Sequence, residues 1–165
     1  MSDVDPRGGA RDGGNIFVVH KHAAPSAHFD FRLAIGGVLK NWAVPNGPSL
    51  DPRVKRLAVA TDDLALGPAN LEGSGTAGPL GTAAVEVWDH GTFDILTERD
   101  GRRLTPEEAF NEGRLLLNLH GQRLIGGWSL QRTGRGKKSN WLLIRMKEDG
   151  GLLRRPKAKV RQTTG

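Results

Sequence analysis

The chain places His22, His28, Asp30 and Arg32 in the string H-x5-H-x-D-x-R. Two imidazoles and one carboxylate are a suitable ligand set for a divalent transition metal such as manganese, zinc or iron. An arginine two residues beyond the carboxylate carries a planar fork that matches an oxygen pair of a phosphate or carboxylate. A metal beside such an arginine, with a coordination position open, is what phosphoryl-group hydrolysis requires, because the charge to be neutralised lies on non-bridging oxygens. The same residues also read as the solvated face of a half-buried strand, and spacing alone leaves both readings open.

The elements that must position these groups are short strands. From His28 to Ile35, alternation puts His28, Asp30 and Arg32 on one face and Phe29, Phe31, Leu33 and Ile35 on the other. His22 lies across the short loop 23–27, which can return the chain so that its imidazole meets the same point. Further strands are expected over Ile16 to His22, Val38 to Val44, Arg56 to Ala60, Ala84 to Trp88, Thr92 to Leu96, Arg114 to Leu119, Arg123 to Gln131 and Asn140 to Met146. Gly36-Gly37 predicts a two-residue hairpin, Asp89-His90-Gly91 a tight turn, and residues 133–139 a basic hairpin loop. One helix is signalled by Thr105 as N-cap, Pro106 at its first position, Glu108 closing a capping box and Gly113 at its end. Residues 67–82 read as loop. A mainly β fold follows, a compact antiparallel barrel of about eight strands with one short helix, since closure removes exposed edges.

Composition sets outer bounds. The 165 residues suit a single domain, with no cysteine for a disulfide, thiolate site or nucleophile. The net charge of +6 is uneven: residues 150–165 hold five cations and no acid, residues 1–14 carry −1, and +2 remains for 15–149. A mobile amino-terminal segment (1–14), a folded domain (15–149) and a basic disordered tail (150–165) are therefore expected. No apolar run approaches the about 20 residues that span a bilayer, and the amino terminus lacks the order of a secretory signal. A soluble, cytoplasmic protein is the expectation.

The run FVVHKHAAPSAHFDFRLAIGGVLKNWAVPNGPSLDPRVKRLAV, with VEVWDHGTF and GGWSLQR…NWLLIRMKED further on, resembles the 3'-phosphoesterase domain of bacterial DNA ligase D, which also occurs alone. The likeness covers about residues 15–149. It implies a manganese-dependent enzyme, with Zn2+ or Co2+ as alternatives, that trims primer 3' ends by removing a terminal ribonucleoside and then the 3'-phosphate. Its partners would be DNA primer-template 3' ends, some RNA-tailed, and the ligase and polymerase of an end-joining system; a monomer is expected. Carried over by position, His22, His28 and Asp30 would hold the metal, and Arg32 and Arg56 the phosphate.

The chain also departs from that pattern. Asn46 stands where the family has Lys in W-A-V-P-K-G, and Leu64 and Pro68 stand for the His and Tyr of E-D-H-P-L-D-Y. Val4-Asp5-Pro6 and Thr76–Gly81 are altered forms of two further segments. Leu64 can neither bind phosphate nor move a proton, and loss of an acid–base group costs about 10²- to 10⁴-fold. Two outcomes follow: a weakened or inactive member that keeps its nucleic-acid grip, or a substitute group. His20 is the candidate substitute, because residues 20 and 22 share a strand face; a hydrogen-bonded strand histidine is the competing reading. His90 and His120 read as turn and strand-end residues and the four tryptophans as core. Glu72 reads as a turn cap or an orienting group, and Lys137 and Lys138 as solvated surface or phosphate contacts.

Overall fold

Alternation resolves into eleven strands and two helices among residues 15–23, 28–73, 85–134 and 137–147, the residues described by a computed structural model. The strands are β1 (Ile16–His22), β2 (His28–Ile35), β3 (Val38–Val44), β4 (Arg56–Ala60), β5 (Leu64–Ala65), β6 (Val85–Ile95), β7 (Glu98–Arg99), β8 (Arg102–Arg103), β9 (Arg114–His120), β10 (Ile125–Arg132) and β11 (Asn140–Arg145). The helices are α1 (Pro68–Leu71) and α2 (Pro106–Glu112). Pairing runs β2-β1-β6-β9-β10-β11-β4-β3, and β3 returns to β2, so eight antiparallel strands close a barrel. β5 adds to β3, and β7 and β8 form a separate ribbon. Among the described residues no helix is long and apolar enough to cross a membrane. The segments expected at 1–14 and 150–165, like Val4-Asp5-Pro6 and Thr76–Gly81, lie outside the described residues.

The inward residues fill the barrel. Phe17, Val19, Phe31, Leu33, Trp42, Leu117, Trp128 and Trp141 are buried in one cluster. Core packing is thus the role of three tryptophans, while Trp88 is half-buried against the cluster. Trp42 meets Trp141 edge-on with centroids 5.3 Å apart, and Phe110 of α2 stacks on Trp141 at 5.6 Å. The helix therefore closes one end of the barrel, which also carries the Gly36-Gly37 turn (φ +64° and +83°) and residues 137–139 before β11. The opposite end carries the close of β1, the start of β2, the loop 45–55, residues 121–124 and the close of β11.

α2 forms as its signals dictate. The Thr105 side chain accepts from the Glu108 N–H, the Glu108 carboxylate accepts from the Thr105 N–H, and Gly113 ends the helix at φ +76°. A Thr105→Ala variant is expected to lose about 1 kcal/mol of stability, read as a lower urea midpoint at unchanged m-value, with Thr105→Ser restoring it.

Two expectations are corrected. Asp89-His90-Gly91 is no turn: β6 runs through it for eleven residues, with a bulge against β1 between Val19 and His20. The buried Asp89 carboxylate accepts the backbone N–H groups of Gln122, Arg123 and Leu124, at 2.7, 3.1 and 2.7 Å. A side chain at Gly91 would overlap the His120 carbonyl. Turn-like residues thus serve a loop more than thirty positions away. The second correction is α1, a four-residue helix inside the stretch read as loop, which adds to the single helix expected.

Candidate metal centre

β1 and β2 pair with His22 opposite His28, His20 opposite Asp30 and Val18 opposite Arg32. Since Phe17, Val19, Phe31 and Leu33 point inward, His20, His22, His28, Asp30 and Arg32 share the outer face of the hairpin. His22 Nε2 lies 2.7 Å from Asp30 Oδ2. The rings of His22 and His28 stack, with centroids 4.3 Å apart and planes 7° apart. One ligand atom from each of His22, His28 and Asp30 lies within 4.8 Å of the others. Ligand atoms at about 2.0–2.2 Å from one divalent ion stand at most about 4.4 Å from each other. Ligands in a tetrahedral arrangement stand about 3.4 Å apart, so the three donors are grouped for a single ion that would draw the widest pair closer by about an ångström.

This face is buried rather than solvated: His20 is 2% exposed, and Asp30 and Arg32 are each 9% exposed. Its cover is the segment around α1. Arg32 Nη1 donates to the Asn70 carbonyl at 2.7 Å, and His20 Nε2 makes a long 3.5 Å contact with the Leu71 carbonyl. Asn70 Nδ2 donates to the Ala65 carbonyl at 2.8 Å. Gly73 packs so tightly on β6 that a Cβ there would come within 2.6 Å of the Val85 carbonyl oxygen. Beneath this cover lies a cavity of about 490 Å³ whose lining includes His20, His22, Arg32, Pro68, Asn70 and Glu72.

Arg32 is the hub of the site. Its Nε donates to Asn41 Oδ1 at 2.9 Å, and its Nη2 lies 3.5 Å from Asp30 Oδ2. Asn41 Nδ2 donates in turn to Thr61 Oγ1 at 2.7 Å. A guanidinium has five N–H donors, so two remain for an incoming oxyanion. Burial lowers the Arg32 pKa, with Asp30 opposing the shift. Burial likewise pulls His20 below its ordinary value, Arg32 adding to this while the Leu71 carbonyl and Asp30 oppose it. The His20 ring is accordingly neutral near pH 7.

Sequence reasoning reached the three candidate ligands, Arg32 and His20, and the structure brings these five together. Arg56 stands apart from the cavity lining, at the start of β4 with β3 between it and β2. It lies two residues before the buried Ala58 on the interior-facing parity, and its buried Nε has no hydrogen-bond partner. His120 pairs with Asp94 at 2.7 Å and is not part of the cluster. His90 is an exposed strand residue opposite Val18. Glu72 is exposed and lines the cavity. Asn41, Thr61, Asn70 and the Leu71 carbonyl were missed. Asn41 was within reach, because the Gly36-Gly37 hairpin sets the register that places it opposite Arg32; nothing local marks the others.

Residues 20–132 match the family described as the DNA Ligase D 3'-phosphoesterase domain. The chain belongs to that family. It is similar to the multifunctional non-homologous end joining protein LigD of Pseudomonas aeruginosa, 45% identical over 133 residues, or 80% of this chain and 15% of that protein. It is also similar to the multifunctional non-homologous end joining DNA repair protein LigD of Mycobacterium tuberculosis, 37% identical over 134 residues, 81% of this chain and 16% of that one. The chain thus spans about one sixth of the length of these relatives. Within the 3'-phosphoesterase fold, the departures from the family pattern are now located. Pro68 opens α1 and lines the cavity. Leu64 pairs with Leu39 on β5, and Asn46 is exposed in the turn before Gly47.

Proposed function

We propose that this chain is a metal-dependent 3'-end phosphoesterase that removes a 3'-ribonucleoside and a 3'-phosphate from DNA primer ends during end joining. The observation that carries this reading is the convergence of His22, His28 and Asp30 within 4.8 Å, next to the Arg32 guanidinium. His22, His28 and Asp30 hold a divalent ion, with Mn2+ the expected one and Zn2+ or Co2+ as alternatives. Once bound, the ion supplies Lewis-acid polarisation of the phosphoryl group.

The chain's own residues do the remaining work. Arg32, immobilised by Asn41 and Asn70, aims its free N–H groups at the non-bridging oxygens. The α1 segment helps bury His20 and Arg32, which strengthens the charge interactions that they make. His20, neutral and lining the same cavity, takes the proton-handling place of the imidazole that Leu64 lacks. The ligase and polymerase of an end-joining system then use the hydroxyl produced.

The test gives purified protein Mn2+ and a primer-template ending in a ribonucleoside or a 3'-phosphate, and resolves the product ends. Metal-dependent conversion to a 3'-hydroxyl is expected. The family's Lys, His and Tyr positions hold Asn46, Leu64 and Pro68, which favours a second reading, a nucleic-acid-end binding module without turnover. Tight binding with no release would establish it. For the substitute role, His20→Ala is expected to lower kcat about 10²-fold with Mn2+ affinity unchanged; undiminished turnover would remove His20 from the reaction.

A further inference from the structure

We propose that the open end of the barrel, at which His22 and His28 lie, is the face that seats the duplex behind the 3' end. The inference rests on the function proposed above and adds to it the surface that grips the substrate.

The two ends of the barrel differ in how their cations are used. At the helix end Lys40 pairs with Asp63, Arg99 with Glu112, Arg102 with Glu108 and Arg103 with Glu98, while Arg114, Arg132, Lys137 and Lys138, which have no ion pair among the described residues, are offset by Asp62, Asp100 and Glu107 at the same end. At the open end, Arg53 pairs with Asp51. Among the described residues no carboxylate forms an ion pair with Lys21, Lys55, Arg123 or Lys147. Exposed Glu86 lies opposite Lys21 on β6, and the rim still keeps a net positive charge, whereas charge at the helix end largely cancels.

Aromatic rings hold part of that rim in place. Lys21 Nζ lies 5.8 Å from the Phe29 ring centroid and Arg123 Cζ 4.8 Å from that of Trp88. Phe29 and Trp88 meet edge-on at 5.3 Å. Arg123 is further fixed by donating Nε to the Trp88 carbonyl at 2.9 Å. Side chains laid on rings lose little more freedom when they meet phosphates, so the rim is prepared for a polyanion. His22 ends β1 and His28 begins β2 at this same end, so a strand whose 3' terminus reaches them brings its neighbouring phosphates to the rim.

Residues 137–139 lie at the other end of β11, about 17 Å away at ~3.3 Å per residue. Lys137 and Lys138 are thus not part of the surface, although composition alone marks them as equal candidates.

The decisive comparison uses two double charge reversals of equal size at exposed lysines, Lys55→Glu/Lys147→Glu and Lys137→Glu/Lys138→Glu. A fluorescent duplex of one helical turn, ending in a 3'-phosphate, is titrated with each Mn2+-loaded protein at several salt concentrations. Lys55→Glu/Lys147→Glu is expected to weaken binding at least about tenfold and to reduce the slope of log K against log salt by about 1.8, at about 0.9 per phosphate contact. Lys137→Glu/Lys138→Glu is expected to stay within about twofold. Equal weakening by both variants, no weakening by the first, or wild-type preference for anionic lipid vesicles over the duplex would each overturn the assignment. Phosphate release from the duplex and from a nucleoside 3'-phosphate is followed alongside in the wild-type protein. If wild-type protein hydrolyses neither substrate, the enzymatic reading fails, while the binding contrast still decides the surface.

Discussion

Replacing His22 with alanine is expected to abolish Mn2+-dependent release from a primer-template, by about 10³-fold or more. His22 is the member of the cluster that touches both others, stacking on His28 and lying 2.7 Å from Asp30. Without it, one imidazole and one carboxylate remain, and two ligands hold a divalent ion far more weakly than three. Loss of an outer partner of a ligand already costs about 10- to 100-fold in metal affinity or activity, so loss of a ligand costs more. The substitution leaves the core intact, because His22 sits on the outer face at the end of β1. The fall should therefore appear in Mn2+ titrations followed by electron paramagnetic resonance as well as in turnover, with the thermal transition little changed. Wild-type Mn2+ affinity together with wild-type release would refute the ligand assignment.

Arg32 should be nearly as sensitive, and it differs from His22 in that its loss also reaches the fold. The buried guanidinium ties β2 to Asn41 on β3 and to the Asn70 carbonyl of the cover, beside Asp30. Arg32→Ala leaves these acceptors unpaired and Asp30 without its cation, a change expected to destabilise the protein by about 3–5 kcal/mol. Arg32→Lys separates the two roles. It keeps a positive charge next to Asp30 but not the fork, and one ammonium cannot satisfy Asn41, Asn70 and a phosphate together. We expect Arg32→Lys to retain a cooperative transition at reduced stability while kcat/KM falls about 10²- to 10³-fold. Full activity in Arg32→Lys would mean that charge alone suffices and that the fork geometry is incidental.

These two predictions rest on residues of different legibility. His22, His28 and Asp30 were found because their type and spacing stand out within one hairpin, where alternation and the Gly36-Gly37 turn set which side chains share a face. The importance of Arg32 as a hub was less visible, since Asn41 is nine residues away and Asn70 thirty-eight. His20 lay on the right face by parity alone; its burial depends on a cover that no local pattern announces.

The helix signals around Thr105 succeeded for the same reason that Asp89-His90-Gly91 misled. A capping box is complete within four residues, so the local string contains the whole interaction. Asp89 and Gly91 instead answer to residues 120–124, which approach only when β6 and β9 pair. An Asp that accepts three distant N–H groups and a glycine pressed against a carbonyl look identical, in isolation, to an ordinary turn.

Side-chain parity, turn chemistry and capping are nearest-neighbour properties, and they suffice to write down the strands β1 to β4 and β9 to β11, the helix α2 and the shared face of the β1–β2 hairpin from the amino-acid order. Closure of the eight-stranded ring, the α1 cover that buries His20 and Arg32, and the distribution of paired and unpaired cations between the two ends arose only in three dimensions. Each depends on groups tens of residues apart meeting at hydrogen-bond or ion-pair distance, and one-dimensional spacing carries no measure of that approach.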